Sequence, residues 1–396
     1  MTEGAMVTRE EEGEISFLLS ASLEALNSAD RAKTRPPAVS IRPPGRRGMT
    51  VGEKILAHHA LDGRGLVAPR DLIWIDVDWA LASQVSWKTG HFRNDRLWLA
   101  GDRVGIRRDQ RRWDAQSLID ACERAKQVFK MTDYQGANYT TLYTEFYHQR
   151  AQPGMIVLGS DPHTCSSGTM GYLSIGSGPA DVTTNLAVTG RDTMLYIAQQ
   201  LQHKPVVVDR IVEFTGPGSR SITCDERFTI HNVTAELGAI TGIFVPDENT
   251  HKLIQKRSRA QHKQSSLYFR PDDDAQYVAT YEIDLGHVRS FMAIHLNVYD
   301  VVTVSREVGI CLNGGFIGSC ATTEEDLTLA ALVLARGLEC GLRPIPMGRR
   351  VMAPGSLPIL HRLHEYELIN PYSDPGFEIG APGCSYRAGN VHGFGL

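Results

Sequence analysis

The run Gly315-Phe-Ile-Gly-Ser-Cys-Ala-Thr-Thr-Glu-Glu-Asp-Leu327 constrains this chain more than any other stretch. Gly315-Phe-Ile-Gly318 reads as a buried strand end closing in glycines. Thr323 is a helix N-cap, followed by the acidic first turn Glu324-Glu325-Asp326. Leu327, Leu329, Ala330, Ala331, Leu332, Val333 and Leu334 continue as a nearly all-apolar helix, expected to be buried. Cys320 stands directly before the helix start. A thiol there meets free backbone N–H groups and the positive end of the helix dipole. Both favour the thiolate, the form that binds metal or attacks carbon. The other use of such a residue is as a small buried side chain in a strand-to-helix turn.

A second loaded loop follows the short apolar strand Met155-Ile-Val-Leu-Gly159. It reads Gly159-Ser-Asp-Pro-His-Thr-Cys165, then Ser166-Ser-Gly-Thr-Met-Gly171 and Ile175-Gly-Ser-Gly-Pro-Ala-Asp181. Asp161 and His163, two apart at a strand end, suit an acid–base pair or a ligand clamp. An Asx turn and a satisfied loop histidine would use the same residues. The glycines permit close backbone approach to a small anion, but their spacing is not that of a dinucleotide or P-loop fingerprint. Asn232 and Glu236, at i and i+4 in the helical run Arg227–Gly238, share one helix face.

Between these landmarks, helical and strand-like segments alternate, which makes the class α/β. Residues 1–48 read as a low-complexity extension, with a short helix over Ser20–Ala32 and a Pro/Arg/Gly-rich linker over Arg35–Gly48. The folded part begins near Met49, with Thr50 capping a helix through Ala60. Strands are expected over Leu72–Asp78, Val206–Phe214, Ala239–Pro246 and Ala279–Asp284. Helices are expected over Gln116–Phe129, Thr193–Leu201 and Leu357–Glu367, and a solvated basic helix and loop over Lys252–Lys263. A loop and strand are expected over Arg343–Pro354.

The length of 396 residues suggests two or three domains, and a net charge of −4 gives no reason to expect nucleic-acid or anionic-membrane binding. No apolar run approaches a membrane span. Seven scattered cysteines fit a reducing compartment. Glu10, Glu11, Glu12 and Glu14 make the N-terminus too acidic for a secretory or mitochondrial leader, so cytoplasm is expected.

Three stretches together, Gly159–Cys165, Ile317–Leu327 and Gly380-Ala-Pro-Gly-Cys384, resemble in order and rough spacing the signatures of the aconitase and 3-isopropylmalate dehydratase large-subunit family. Asp209–Gly216, Asn232–Glu236, Gly242–Glu248 and Pro354-Gly-Ser356 support the likeness, which covers roughly residues 49–387. The resemblance implies a hydro-lyase acting on a citrate- or alkylmalate-like hydroxy acid. It implies an aconitase-like three-lobed α/β/α core: lobe 1 over 49–190, a shortened lobe 2 over 191–302 and a truncated lobe 3 over 303–396, meeting at one cleft. It implies a 4Fe–4S cluster held by three cysteines. Cys320 and Cys384 match two of the ligands. Asp161, His163, Glu236 and Asp102 match catalytic positions, and Asn232, Thr322 and Ser356 positions that bind substrate or cofactor.

The departures are specific. The third thiolate falls at Arg387, whose guanidinium cannot replace it. Arg103 and Tyr143 stand where histidines are usual. Pro162 and Thr322 replace a serine and an asparagine. The family usually carries a further strand and turn before Arg191. The swivelling domain that bears the family's base is not expected in this chain, so a small subunit carrying it is the implied partner.

Overall fold

The computed structural model describes residues 47–83, 96–100, 115–128, 131, 134–136, 139–159, 161–176, 190–201, 205–257, 266–294, 300–310, 314–319, 321–344 and 348–382. The elements in chain order are α1 (Val51–His59), β1 (Trp79–Ser83), β2 (Leu97–Ala100), α2 (Ala115–Val128), α3 (Thr144–Gln149), β3 (Ile156–Gly159), a 3-10 segment (Pro162–Met170) and β4 (Leu173–Gly176). Next come α4 (Gly190–Gln200), β5 (Ile211–Phe214), α5 (Cys224–Glu236), β6 (Thr241–Phe244), α6 (Glu248–Gln255), β7 (Phe291–Ala293) and β8 (Val301–Thr303). The last are β9 (Gly315–Gly318), α7 (Glu324–Glu339), β10 (Arg350–Ala353), α8 (Leu357–Glu365), α9 (Asn370–Ser373) and β11 (Glu378–Ile379).

The architecture is α/β with parallel sheets, as expected. One sheet has the order β2-β1-β3-β4 and another β11-β10-β9, every neighbouring pair parallel. β5 and β6 form a two-stranded parallel sheet, whereas β7 and β8 pair antiparallel. The caps explain why the helices start where they do. Thr50 with Glu53, Thr223 with Glu226 and Thr323 with Asp326 form reciprocal capping boxes, each satisfying two orphan helix donors. Around the first sheet, Trp79, Trp98, Phe146, Tyr147 and Phe228 form a buried aromatic core. A second core under the β11-β10-β9 sheet gathers Leu327, Ala331, Met352, Ile359, Leu363 and Tyr372. Each large apolar side chain of these cores contributes about 1.5–3 kcal/mol by leaving water.

Several expectations are corrected. Leu72–Asp78 is not a strand. It carries one isolated bridge, Ile75 to Ala60, and leaves Leu72 93% and Trp74 82% exposed. Ala279–Asp284 has no ladder partner among the described residues. Val206–Phe214 divides into a 3-10 turn, Pro205–Val207, and the shorter strand β5. The apolar helix α7 is not buried all round. Leu327 and Ala331 enter the core, but Leu332 is 54% and Val333 45% exposed. The expected helix over Ser20–Ala32 and the 35–46 part of the linker lie outside the described residues.

Candidate active site

The site grows from the C-terminal end of β3. Asp161 caps the 3-10 segment, accepting the backbone N–H of His163 at 2.9 Å. The Thr164 hydroxyl donates back to the Asp161 carbonyl at 2.6 Å, and Ser174 on β4 donates to the Thr164 carbonyl at 2.6 Å. Gly159 makes the turn possible, because a Cβ there would lie 2.0 Å from Thr164 Oγ1. The 3-10 segment packs between α5 and the strands β4 and β6.

α5 brings the partners. His163 Nδ1 stands 3.4 Å from Asp161 Oδ1, and His163 Nε2 stands 3.8 Å from Glu236 Oε1. Asn232 Nδ2 donates to Ser166 Oγ at 2.9 Å. The ring of Tyr143 meets His163 edge-on, with centroids 6.5 Å apart. Asp161, His163 and Asn232 are buried, and the Glu236 side chain is only 2% exposed. The 3.8 Å separation is electrostatic contact, too long for a hydrogen bond. Nε2 of His163 and Oε2 of Glu236 are therefore buried without hydrogen-bond partners among the described residues. Both atoms retain unused hydrogen-bonding capacity, as does His231 Nε2 on the same helix.

Burial alone would lower the His163 pKa. The carboxylates of Asp161 and Glu236 outweigh it and push the imidazole up to about 9. His163 is thus an imidazolium at neutral pH. Its stabilising charge contact is fully present below its ordinary pKa of 6.5 and is lost as pH rises through about 9. We expect the His163 ring nitrogens, followed by nitrogen-15 NMR, to titrate near pH 9, and a Glu236→Gln variant to titrate lower. Titration near 6.5 in the parent chain would contradict this arrangement.

His231, also on α5, is a different case. Burial pushes its pKa down to about 3, and its ring packs against Gly242 with Nδ1 3.0 Å from the Arg227 carbonyl. It anchors α5, as does the buried Cys165 thiol, which donates to the His231 carbonyl.

Ser356 and Thr322 have other partners. Ser356 caps α8 and donates to the buried carboxylate of Glu145 at 2.6 Å. Thr322 pairs its hydroxyl with Ser319 at 3.0 Å. The sequence offered no signal for the Ser166–Asn232 contact or the Ser356–Glu145 contact, since each pairs side chains far apart in the chain.

Asp102, Cys320, Cys384, Arg387 and Arg103 lie outside the described residues. The neighbours of Cys320 are placed. The Ala321 carbonyl accepts from Thr229 Oγ1 at 3.4 Å, and Thr229 shares a helix face with Asn232 and Glu236. Among the described residues no group of three or more His, Cys, Asp or Glu is placed to hold a metal ion. The described cysteines are not joined in disulfides: Cys122 and Cys165 are buried, Cys224 is partly buried and Cys340 is exposed.

A buried histidine thus stands between two carboxylates at a strand end of a parallel α/β scaffold. Residues 183–310 and 307–393 match the aconitase family (aconitate hydratase), and the chain belongs to that family. It is 43% identical over 95% of its length to a 3-isopropylmalate dehydratase large subunit of Glarea lozoyensis, covering 45% of that protein. It is 44% identical over 86% of its length to an aconitase of Aspergillus rugulosus, covering 43% of it. The chain thus spans about half the length of these relatives. A 3-isopropylmalate dehydratase large subunit of Caldicellulosiruptor saccharolyticus is 29% identical over 85% of the chain, which covers 84% of that protein. No helix among the described residues is long and apolar enough to cross a membrane.

Proposed function

We propose that the chain is the large module of an aconitase-family hydro-lyase and takes a citrate- or alkylmalate-like hydroxy acid at the His163 cluster. The observation that carries this reading is the pair of buried, unpartnered atoms His163 Nε2 and Glu236 Oε2. A substrate hydroxyl between them accepts from the imidazolium N–H and donates to the carboxylate. As the carbon–oxygen bond breaks, His163 hands its proton to the leaving oxygen, so that water departs rather than hydroxide. Asp161 and Glu236 hold the ring and its charge. Asn232, fixed by Ser166, offers its remaining amide groups to the substrate. The carbon-bound proton is assigned to a base on a partner, a small subunit of the kind that the name "large subunit" implies for the relatives. The lobes 49–190, 191–302 and 303–396 and a cytoplasmic setting belong to the same proposal.

A second reading, a non-catalytic scaffold that binds the hydroxy acid without turning it over, is favoured by one observation, the incomplete donor set at Arg387. Calorimetric titration with 2-isopropylmalate and with citrate tests binding under both readings. Binding of one of them is expected, weakened about 10- to 100-fold in His163→Gln, since a hydrogen bond to a charged group contributes about 1.5–3 kcal/mol. Equal affinity in the parent chain, His163→Gln and Glu236→Gln, all folded by circular dichroism, would remove this cluster from the binding site.

A further inference from the structure

Two helix N-termini with the same capping box meet at the junction between α5 and α7. In the first box, Glu226 Oε2 accepts from the Thr223 N–H at 2.7 Å. In the second, Asp326 Oδ2 accepts from the Thr323 N–H at 3.1 Å. The boxes are joined, because Thr223 Oγ1 donates across to Glu325 Oε2 at 3.1 Å. Asp225, in the first turn of α5, therefore faces Glu324, Glu325 and Asp326 of α7.

The other charged and titratable groups around this junction are accounted for. From α3, Tyr147 OH donates to Asp225 Oδ1 at 3.5 Å. Arg362 on α8 is bonded to Glu324, and Arg191 on α4 faces Asp326. Arg227, on the same helix as Asp225, is bound to Asp247, and Arg257 donates to the Tyr147 carbonyl. Among the described residues no cation bonds Asp225. Asp225 thus shares the junction, joined by the Thr223–Glu325 bond, with three carboxylates of α7.

We propose that this junction is a proton-operated latch between α5, which carries Asn232 and Glu236, and the turn that leads from Cys320 into α7. While Asp225 is protonated, the acidic first turn of α7 rests on α5. When it ionises, like charges push the two N-termini apart and free the Ala321–Thr229 contact. The energetics fit the geometry. Burial, and then Glu325, Asp326 and Glu324, push the Asp225 carboxyl from its ordinary 3.8 up to about 7. The closed junction then holds a proton that the open one has lost between about pH 4 and 7. Closure is therefore favoured on the acid side and lost as pH rises through about 7. The latch stands or fails independently of which ligand the His163 cluster takes.

Amide hydrogen exchange tests it, with rates corrected for their intrinsic pH dependence. Protection over residues 321–331 is expected to fall several-fold between pH 6 and 8.5, with an upper limit of about tenfold per pH unit for one proton. Protection over α8 should stay constant. Asp225→Asn, which cannot ionise, should hold the segment closed across the range. Glu325→Gln keeps the acceptor for Thr223 and should shrink the transition and move it to lower pH, because one of the charges that raise the Asp225 carboxyl is gone. Loss of protection in Asp225→Asn with the parent's pH profile, or a flat profile in the parent chain, would overturn the proposal. Glu325→Gln decides the matter if Asp225→Asn does not fold: an unmoved transition would overturn it too.

Discussion

Gly318→Ala is expected to destabilise the β11-β10-β9 sheet by about 3 kcal/mol or more, among the larger effects a single methyl group has. Gly318 ends β9 with φ at +126° and pairs in register with Ala353 of the central strand β10. A Cβ at this position would lie 1.9 Å from the Ala353 carbonyl oxygen and 2.8 Å from its carbon. Backbone cannot yield as the end of a flexible side chain can, so β9 must leave β10 or the turn toward Cys320 must refold. Gly309 is the control. Its φ is +98°, but a Cβ there meets nothing within 4 Å. Gly309→Ala should cost about 1–2 kcal/mol, the penalty of a left-handed backbone alone. Urea unfolding of both variants reads the difference. Equal midpoints would mean that the close approach at Ala353 is not a constraint.

The largest effect expected on chemistry concerns Arg387. The unmodified chain should retain less than one cluster per molecule after anaerobic reconstitution, read as iron and acid-labile sulfide. It should show no turnover of citrate, isocitrate or 2-isopropylmalate in an ultraviolet assay for the conjugated alkene. A guanidinium stays protonated and offers no lone pair to iron, so two thiolates remain where the family uses three. Losing one member of a catalytic set typically costs several orders of magnitude in rate, and members acting as a unit do not add. Arg387→Cys together with a small subunit is expected to restore both iron and turnover. Turnover by the unmodified chain alone would refute the expectation.

What the sequence made legible was local. Helix caps at Thr50 and Thr323 and the glycine-ended strand before Cys320 need only their immediate neighbours. The convergence of Asp161, His163, Asn232 and Glu236 was also legible, because family signatures preserve positions that the fold brings together. Misreadings came where a partner lies far along the chain. Leu72–Asp78 has the composition of a strand, but a strand needs a ladder, and composition does not supply one. α7 is apolar on more faces than the core can cover, so Leu327 and Ala331, one turn apart, took the inside and Leu332 and Val333 did not. The Ser356–Glu145 bond, 211 positions apart in sequence, was likewise beyond local reading.

The contacts at the start of the described chain also set a timetable. Met49 donates to Asp272, and Lys54 pairs with the same carboxylate, across 223 and 218 positions of sequence. Ser356 reaches Glu145 across 211. On the ribosome, at roughly 5–20 residues per second, the first of these contacts waits about 10–45 s for its partner to be made. During that interval Val51 and Ile55, buried in the finished protein, have no complete core to enter. The nascent chain therefore presents the helix α1 to chaperones and to other nascent chains long before the acid–base cluster exists. Its yield in a cell should depend on how well that interval is supervised.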